Sequence, residues 1–330
     1  MPPPTDSLVL RLGTRASLLA QTQSRLVAGW LEQRHPGLRV EPCLIRTSGD
    51  EISDRPLHQF GGKGLFTKEL ELALLAGSID FAVHSFKDVP VTMPLVEQAQ
   101  LVIACVPARE DPRDVIVSRN GADLKSLPAG ARVGTGSLRR RCQILALRPD
   151  LSIEPIRGNI DTRLRRLRNG DFDAIVLARA GLDRAGLLDP AIMHEIDAAQ
   201  VLCASGQGAL ALQSRRDDDA TRKVLSALND PATESCVCAE RELVRLLEGD
   251  CNSPIAALAQ MRGERMHLQA AVGAAGGSPP VIRAEAAGPV SDCHALARQV
   301  FATLTSENVA ALLRSPGQGE GRDLGEPANS

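Results

Sequence analysis

The chain has 330 residues, and 38 lysines and arginines against 40 aspartates and glutamates leave a formal charge of −2. That balance excludes a generally basic nucleic-acid binder, and an aromatic content of 2%, with no tyrosine, excludes one that stacks bases on side chains. At 43% hydrophobic and 24% charged, the sequence is ordinary globular material for two or three domains with an aliphatic core.

No apolar run approaches the roughly 18 residues that span a bilayer, and the first residues lack the basic and apolar regions of a secretory signal. The eight cysteines show no CxxC pair and no zinc spacing. They read as mostly reduced and buried, in a cytoplasmic protein. Cys236 and Cys238, one residue apart on a predicted helix, should face apart.

In chain order, residues 7–13 predict a strand. A helix follows from about Ser17, with Leu19, Leu26, Val27, Trp30 and Leu31 on one face. His35-Pro36-Gly37 stops it, and 38–45 predict a second strand, so a βαβ unit opens the chain. A glycine turn at 61–64 leads into a helix from about Thr67 to Ala76, ended by Gly77. Residues 79–83 are then a strand whose C-terminal end is capped by the segment to Pro90. A second α/β block runs from about 109 to 201. Its strands are 132–134, 152–156 and 174–178. Its helices run from the cap Ser137 to Leu147, and along the stripe Ile160, Leu164, Leu167 to Gly170. The last domain starts near 230 with a helix capped by Thr233, followed by strands at 254–259, 266–272 and 281–286 and a helix from about Ser291. Residues 314–330 are Gly/Pro-rich and nearly free of apolar groups, which predicts a disordered tail.

The basic residues are biased and clustered. Arginines number 33 and lysines 5. Residues 131–170 hold ten arginines against three acids, a +7 island in a chain whose remainder sums to −9. A concentrated patch on an acidic protein predicts a polyanion site.

Four segments carry candidate chemistry. Gly61-Gly62-Lys63-Gly64 frees the backbone to approach a ligand beside an ammonium, although a plain turn accounts for the glycines equally well. It is not a phosphate loop of the Walker type, which needs glycine at 57 and Ser/Thr at 64. His84-Ser85-Phe86-Lys87-Asp88-Val89-Pro90 ends an apolar strand, where ligands of open α/β sheets bind. A solvated turn with a surface ion pair is the plain alternative. Gly134-Thr135-Gly136-Ser137-Leu138-Arg139-Arg140 feeds a helix N-terminus, an anion cradle in which arginine forks can grip carboxylates. Arg157-Gly158-Asn159 and Arg163 repeat the arrangement after the next strand. Arg165, Arg166 and Arg168 lie further along and read as a solvated face. Leu247-Glu248-Gly249-Asp250-Cys251 places a cysteine past a helix end, where a thiol can be exposed, although on spacing alone a lone cysteine is more often structural. No local histidine activates it, and Asp250 disfavours the thiolate. Lys63, Lys68 and Lys87 fall in or beside two of these segments, where a compact ammonium differs from a guanidinium fork.

These segments, together with Gly-Thr-Arg-Ala-Ser (13–17) and Arg-Glu-Asp-Pro-Arg-Asp (109–114), resemble the porphobilinogen deaminase family over about residues 7–313. The resemblance implies an α/β protein of two periplasmic-binding-protein-like doubly wound domains, with a small C-terminal α+β domain built on a three-stranded antiparallel sheet. Domain 1 would comprise 1–104 and 202–228, domain 2 would be 105–201, and domain 3 would be 229–313, before the tail at 314–330. The implied enzyme is a transferase that condenses four porphobilinogens head to tail, with loss of ammonia, on a covalent dipyrromethane primer, and then releases hydroxymethylbilane by hydrolysis. Carried across residue by residue, Cys251 would attach the dipyrromethane and Asp88 would be the catalytic carboxylate. Arg15, Ser17, Lys63, Ser85, Lys87, Thr135, Ser137, Arg139, Arg140, Arg157 and Arg163 would bind cofactor or substrate carboxylates. No metal, nucleic acid or membrane is implied, and a monomer is expected. Gly136, Asp250 and Leu18 depart from the family's common residues.

Two rival readings use the same residues. One is a binding-protein-like anion carrier on the same scaffold. The other is an RNA-binding module using the arginine island, which the acidic remainder and missing aromatics disfavour.

Overall fold

The computed structural model describes residues 8–47, 67–91, 99–250 and 252–314. The Gly61–Gly64 loop with Lys63, the residue Cys251 and all but the first residue of the expected tail lie outside the described residues.

Strand β1 (Val9–Thr14) leads into helix α1 (Leu18–Arg34), which Ser17 caps by accepting from the Ala20 N–H at 3.3 Å. The face α1 buries is Gln23, Ser24, Val27 and Leu31. The predicted stripe through Leu19, Leu26 and Trp30 is only half-buried, because Gln23 and Ser24 turn toward the sheet end, where Gln23 bonds Ser85. Strand β2 (Arg39–Leu44), helix α2 (Lys68–Leu75), strand β3 (Phe81–Ser85) and strand β4 (Leu101–Cys105) follow.

The chain then builds a second sheet. Its strands are β5 (Asp114–Ser118), β6 (Arg132–Gly134), β7 (Ser152–Glu154), β8 (Ala174–Ala178) and β9 (Met193–Ile196). Its helices are α3 (Leu138–Leu147), α4 (Ile160–Arg168) and α5 (Arg179–Ala185). Strand β10 (Leu210–Arg215) returns to the first sheet. There it lies antiparallel between β3 and β4, in the order β2-β1-β3-β10-β4. The second sheet has the order β7-β6-β8-β5-β9, and β5 lies antiparallel between β8 and β9. Each sheet thus has three parallel strands, then one reversed strand that enters from a crossing segment. The two lobes repeat one pattern, and the chain passes between them through 106–113 and 197–209.

Helices α6 (Asp219–Ser226) and α7 (Pro231–Leu246) lead to β11 (Ile255–Arg262), β12 (Arg265–Val272) and β13 (Ile282–Pro289). These strands form an antiparallel meander, closed by α8 (Cys293–Ser306) and α9 (Val309–Leu313). The α7 cap is Asp230, not Thr233: the Asp230 carboxylate accepts from the Thr233 N–H at 2.7 Å, and Pro231 takes the first helical position. The Thr233 hydroxyl instead accepts from the Arg109 N–H at 3.1 Å.

Packing is aliphatic, as the composition requires. Apart from Phe81 and Phe172, the largest fully buried side chains are leucines and isoleucines. Leucine, valine and isoleucine layers cover both faces of each five-stranded sheet, and α7 and α8 cover one face of the meander. Its other face docks on the second crossing segment, where Leu202 and Cys203 meet Ala256, Leu258 and Ala271.

The cysteines need a correction. Cys105, Cys142, Cys203 and Cys236 are buried free thiols and Cys43 is a half-buried one, but Cys238 is bonded to Cys293. Cys236 faces the core while the half-buried Cys238 faces Cys293 of α8, so the two point apart as expected from their spacing. No helix among the described residues is long and apolar enough to cross a membrane.

Candidate active site

The candidate site lies where the ends of β1 and β3 in the first lobe face the second. The strand β3 is apolar and buried until Ser85, then breaks into a single 3-10 turn, Phe86–Asp88. Phe86 anchors the turn in the core, Lys87 is half-buried and Asp88 is exposed. His84 is buried, with Nε2 3.1 Å from Gln213 Oε1, and Gln213 in turn donates to Glu71 at 3.1 Å. Burial lowers the His84 imidazole to about 4, with Arg15 adding to the shift and Gln213 opposing it. His84 therefore supports the sheet end as a neutral ring and offers no proton at neutral pH.

One pocket is lined by Arg15, Ser17, Gln23, Ser85 and Asp88. A second runs between the lobes, from Gln23, Ser85 and Lys87 to Ala178, Gly181 and Arg184. The lobes touch at Gly181, where an added Cβ would lie 3.7 Å from Leu19 of α1.

Cations of both lobes converge on the same place. Burial pushes the Lys87 ammonium down to about 8; Asp88 opposes the shift, and Arg140 adds to it. Burial likewise pushes Arg163 down to about 10, with Arg140 and Arg157 adding and Asp88 opposing. Lys87, Asp88, Arg140, Arg157 and Arg163 thus share one electrostatic field with a single carboxylate at its mouth. Desolvated cations crowded together are a standing attraction for a multiply charged anion.

The arginine forks are not all open. Arg139 donates to the Leu202 carbonyl at 2.5 Å and to Asp114 at 2.9 Å. Arg140 donates to the Val176 carbonyl at 2.8 Å and to the other Asp114 oxygen at 2.7 Å. Asp114 is fully buried, and burial works to raise its carboxyl, but the two guanidiniums outweigh that and hold it well below the usual carboxylate range. Arg140 keeps its Nε buried without a hydrogen-bond partner. Thr135 and Ser137 close their own turn: the Ser137 N–H donates to the Thr135 hydroxyl at 3.2 Å, and the Ser137 hydroxyl caps α3 by accepting from the Arg140 N–H at 3.4 Å. Arg163 is braced by the Gly158 carbonyl at 2.8 Å. Arg166 pairs with Asp171 at 2.8 Å and lies over Phe172, so it belongs to the lobe's packing; Arg165 and Arg168 are exposed.

Residues without a role in the sequence reading complete the site's frame. Arg109, in the first crossing segment, donates to the Gln207 carbonyl of the second at 2.7 Å and to Glu240 of α7 at 2.5 Å. The fully buried Glu240 also accepts from the Gly206 N–H at 2.7 Å and the Ala259 N–H at 2.8 Å. Gly206 has φ +69°, and a Cβ there would lie 3.2 Å from the Lys87 backbone nitrogen, so only glycine lets the crossing segment back onto the turn. Arg241 donates to the Val89 and Pro90 carbonyls at 2.9 and 2.6 Å and lies 4.8 Å from the Phe86 ring centre. Arg109 and Asp114 open and close a motif visible in the sequence (109–114), but nothing local revealed that they meet Glu240 and Arg140.

The segment around Cys251 is held from both sides. Glu248 adopts φ +52°, and the Gly249 N–H donates to the Val244 carbonyl at 2.9 Å. The Asp250 carboxylate accepts from the Asn252 N–H at 2.8 Å and the Ser253 hydroxyl at 3.0 Å. The aspartate that departs from the family's usual residue therefore closes an Asx turn of its own.

A dipyrromethane bears two pyrroles, each with two carboxylates, and the site suits it: buried cations outnumber their carboxylates, and Arg140 has an orphaned donor. Comparison with known proteins agrees. The family model for the dipyrromethane cofactor binding domain of porphobilinogen deaminase matches residues 10–223, and that for its C-terminal domain matches 234–306. Porphobilinogen deaminase of Syntrophobacter fumaroxidans is 47% identical over 305 residues, 92% of this chain and 97% of that protein. That of Xanthomonas oryzae pv. oryzae is 48% identical over 304 residues, 92% of this chain and 98% of that protein. A looser likeness, with TM-score 0.38 and 16% identity, is to the periplasmic VFT2 domain of BvgS from Bordetella pertussis, over 67% of this chain and 86% of that one. With both family models in order along the chain and relatives matched almost end to end, the protein belongs to the porphobilinogen deaminase family, whose members polymerise porphobilinogen into a linear tetrapyrrole on a dipyrromethane cofactor.

Proposed function

We propose that this chemistry runs at Asp88, with Cys251 as the attachment point. Attached there, the dipyrromethane would supply the pyrrole to which the first new unit is joined, each later unit adding to the ring before it. The observation that carries the reading is the placement of Asp88: an exposed carboxylate on a rigid turn, among Lys87, Arg140 and Arg163.

Loss of ammonia from porphobilinogen leaves an electron-poor unit. A carboxylate facing its pyrrole N–H stabilises the developing positive charge and can take the proton released on coupling. Asp88 fills that role. Arg15, Ser17, Lys63, Ser85, Lys87, Thr135, Ser137, Arg139, Arg140, Arg157 and Arg163 hold acetate and propionate groups. Lys87 acts as a compact ammonium next to Asp88, and Arg157 and Arg163 as forks from the opposite lobe. Arg139 and Arg140 act partly through Asp114, which orients them. Thr135 and Ser137 contribute through the turn that aims Arg140.

The proposed domain division is 1–104 with 202–228, 105–201 and 229–313, and the presence of three separate sheets supports it. A monomeric, cytoplasmic enzyme is the accompanying reading. Four buried thiols suit a reducing compartment: burial pushes Cys105 and Cys203 up to about 12, and Cys142 and Cys236 up to about 11. The arginine island spends much of its charge inward, on Asp114 and the cleft, which disfavours a nucleic-acid surface.

Intact-mass analysis of the purified chain tests the reading. A covalent adduct mapped to the Cys251 peptide, and absent from Cys251→Ser, is expected. An unmodified chain from cells with a normal porphobilinogen supply, inactive on that compound, would overturn it.

A further inference from the structure

A group of soft ligands lies away from the cleft, where α7 meets α8. Cys238 of α7 and the first two residues of α8, Cys293 and His294, bring two sulfurs and an imidazole nitrogen within 4.8 Å of one another. The cysteines are 55 residues apart in the chain but only 6.0 Å apart at Cα, so tertiary packing creates the group.

The histidine is oriented as a metal ligand would be. Its Nε2 lies 3.8 Å from Cys238 Sγ, and its Nδ1 lies 3.6 Å from Glu242 Oε1. Glu242, one turn beyond Cys238 on α7, is itself fixed by Arg245 at 2.7 and 2.8 Å. A metal-bound imidazole commonly presents its second nitrogen to a carboxylate, which sets the tautomer. In a tetrahedral zinc site, ligand distances of about 2.0–2.3 Å place sulfur and nitrogen roughly 3.6 Å apart, close to the spacing present here. The cysteines are half-buried and the histidine exposed, so water can reach the fourth position. Thiolate with imidazole selects zinc over hard cations such as magnesium.

We propose that Cys238, Cys293 and His294 form a redox-gated zinc site: a disulfide in the oxidised chain, and a three-ligand zinc clip once that bond is reduced. A dithiol reductant supplies two electrons and two protons to the Cys238–Cys293 bond and leaves as its own disulfide. Zinc then displaces the two thiol protons, His294 Nε2 adds its lone pair, and water completes the tetrahedron. Both states fasten α7 to α8. Glu240 and Arg241, which brace the crossing segments and the Asp88 turn, follow Cys238 by two and three residues on α7.

The test uses the full chain with its cofactor attached. One portion is reduced with dithiothreitol and desalted without oxygen. The other is oxidised with diamide, with the Cys238–Cys293 bond verified by alkylation and peptide mass. Each is given zinc, passed through a desalting column and assayed for metal. About one zinc per reduced chain and none on the oxidised chain are expected. Cobalt in place of zinc should give a thiolate-to-metal absorption band in the reduced chain. The double variant Cys238→Ser/Cys293→Ser should lose both signals. His294→Gln, at an exposed position that threatens no core, should weaken zinc binding by about tenfold or more. A reduced chain that retains no more zinc than the double variant, or an oxidised chain that retains as much as the reduced one, overturns the proposal. So does unchanged affinity in His294→Gln.

Discussion

Arg241 donates to the Pro90 carbonyl at 2.6 Å, two residues beyond Asp88, and so ties a helix of the C-terminal domain to the proposed catalytic turn. The same guanidinium covers the Phe86 ring on the other side of Asp88. Burial lowers Arg241 to about 10, with Glu240 opposing the shift, so it remains charged at neutral pH. The C-terminal domain thereby braces the backbone on both sides of Asp88.

Arg241→Ala should lose about 2 kcal/mol of stability, since a charged donor to buried carbonyls is worth roughly 1.5–3 kcal/mol. It should also lower kcat more than it raises KM, because Asp88 would wander while the carboxylate-binding cations stay in place. Denaturant unfolding and steady-state kinetics on the same preparation separate the effects. A folded variant with undiminished kcat would show that the turn needs no brace.

Asp88→Asn keeps shape and size but removes the charge. Turnover should fall by about 10²-fold or more, as for loss of a positioned acid–base group. The adduct at Cys251, or a stalled longer chain, should persist in the intact mass. Normal turnover would remove Asp88 from the mechanism.

Lys87 supplies a pH signature. With its ammonium at about 8, anion binding should weaken as pH rises past that value, so kcat/KM should decline on the alkaline side. Lys87→Arg should abolish that decline. The stability sign is opposite. A lysine lowered from 10.5 to about 8 is penalised while charged, and the penalty fades as pH climbs between those values. Wild type should gain stability relative to Lys87→Met over that window. His84 follows the same rule: its penalty is complete below about 4 and gone above 6.5, so acidification through that range should destabilise the fold. Chemical denaturation at a series of pH values reads both effects.

Asp114→Ala should leave Arg139 and Arg140 buried without their shared carboxylate. Breaking a buried ion pair by removing one partner costs about 3–5 kcal/mol. Asp114→Asn should cost less, because the amide oxygen can still accept from one fork. Thermal unfolding should rank the three proteins in that order. Equal stability of all three would mean that the forks find other partners.

The local features were legible in the sequence because local chemistry decides them. Ser137 caps its helix as the pattern predicted, the helix expected from about Ser17 begins there, and Gly77 ends its helix at φ +66°. The apolar runs 174–178, 255–259 and 266–272 are strands because no helical stripe competes. Strands β5 and β10 were not foreseen. Each is the reversed strand of its sheet, and its partners lie 56 to 133 residues away, from Ser118 with Ala174 to Ser214 with Phe81. Thr233 was a reasonable cap by composition, but Asp230 followed by proline competes better for the same N–H.

The sequence by itself determined the family, through ordered motifs that require particular side chains at particular spacings, and with it the proposal of Asp88 and Cys251 as site residues. It also determined an aliphatic core and a cationic island. Only the tertiary structure decided where that charge goes. Arg139 and Arg140 turn onto Asp114, while Arg163 of the second lobe comes near Lys87 and Asp88 of the first, because long-range sheet pairing sets which strand ends meet. Glu240 became a junction of three chain segments for the same reason, and Cys238 met Cys293 and His294. A buried charge must find its counterpart or shift its pKa, and the counterparts here lie too far along the chain for sequence spacing to name them.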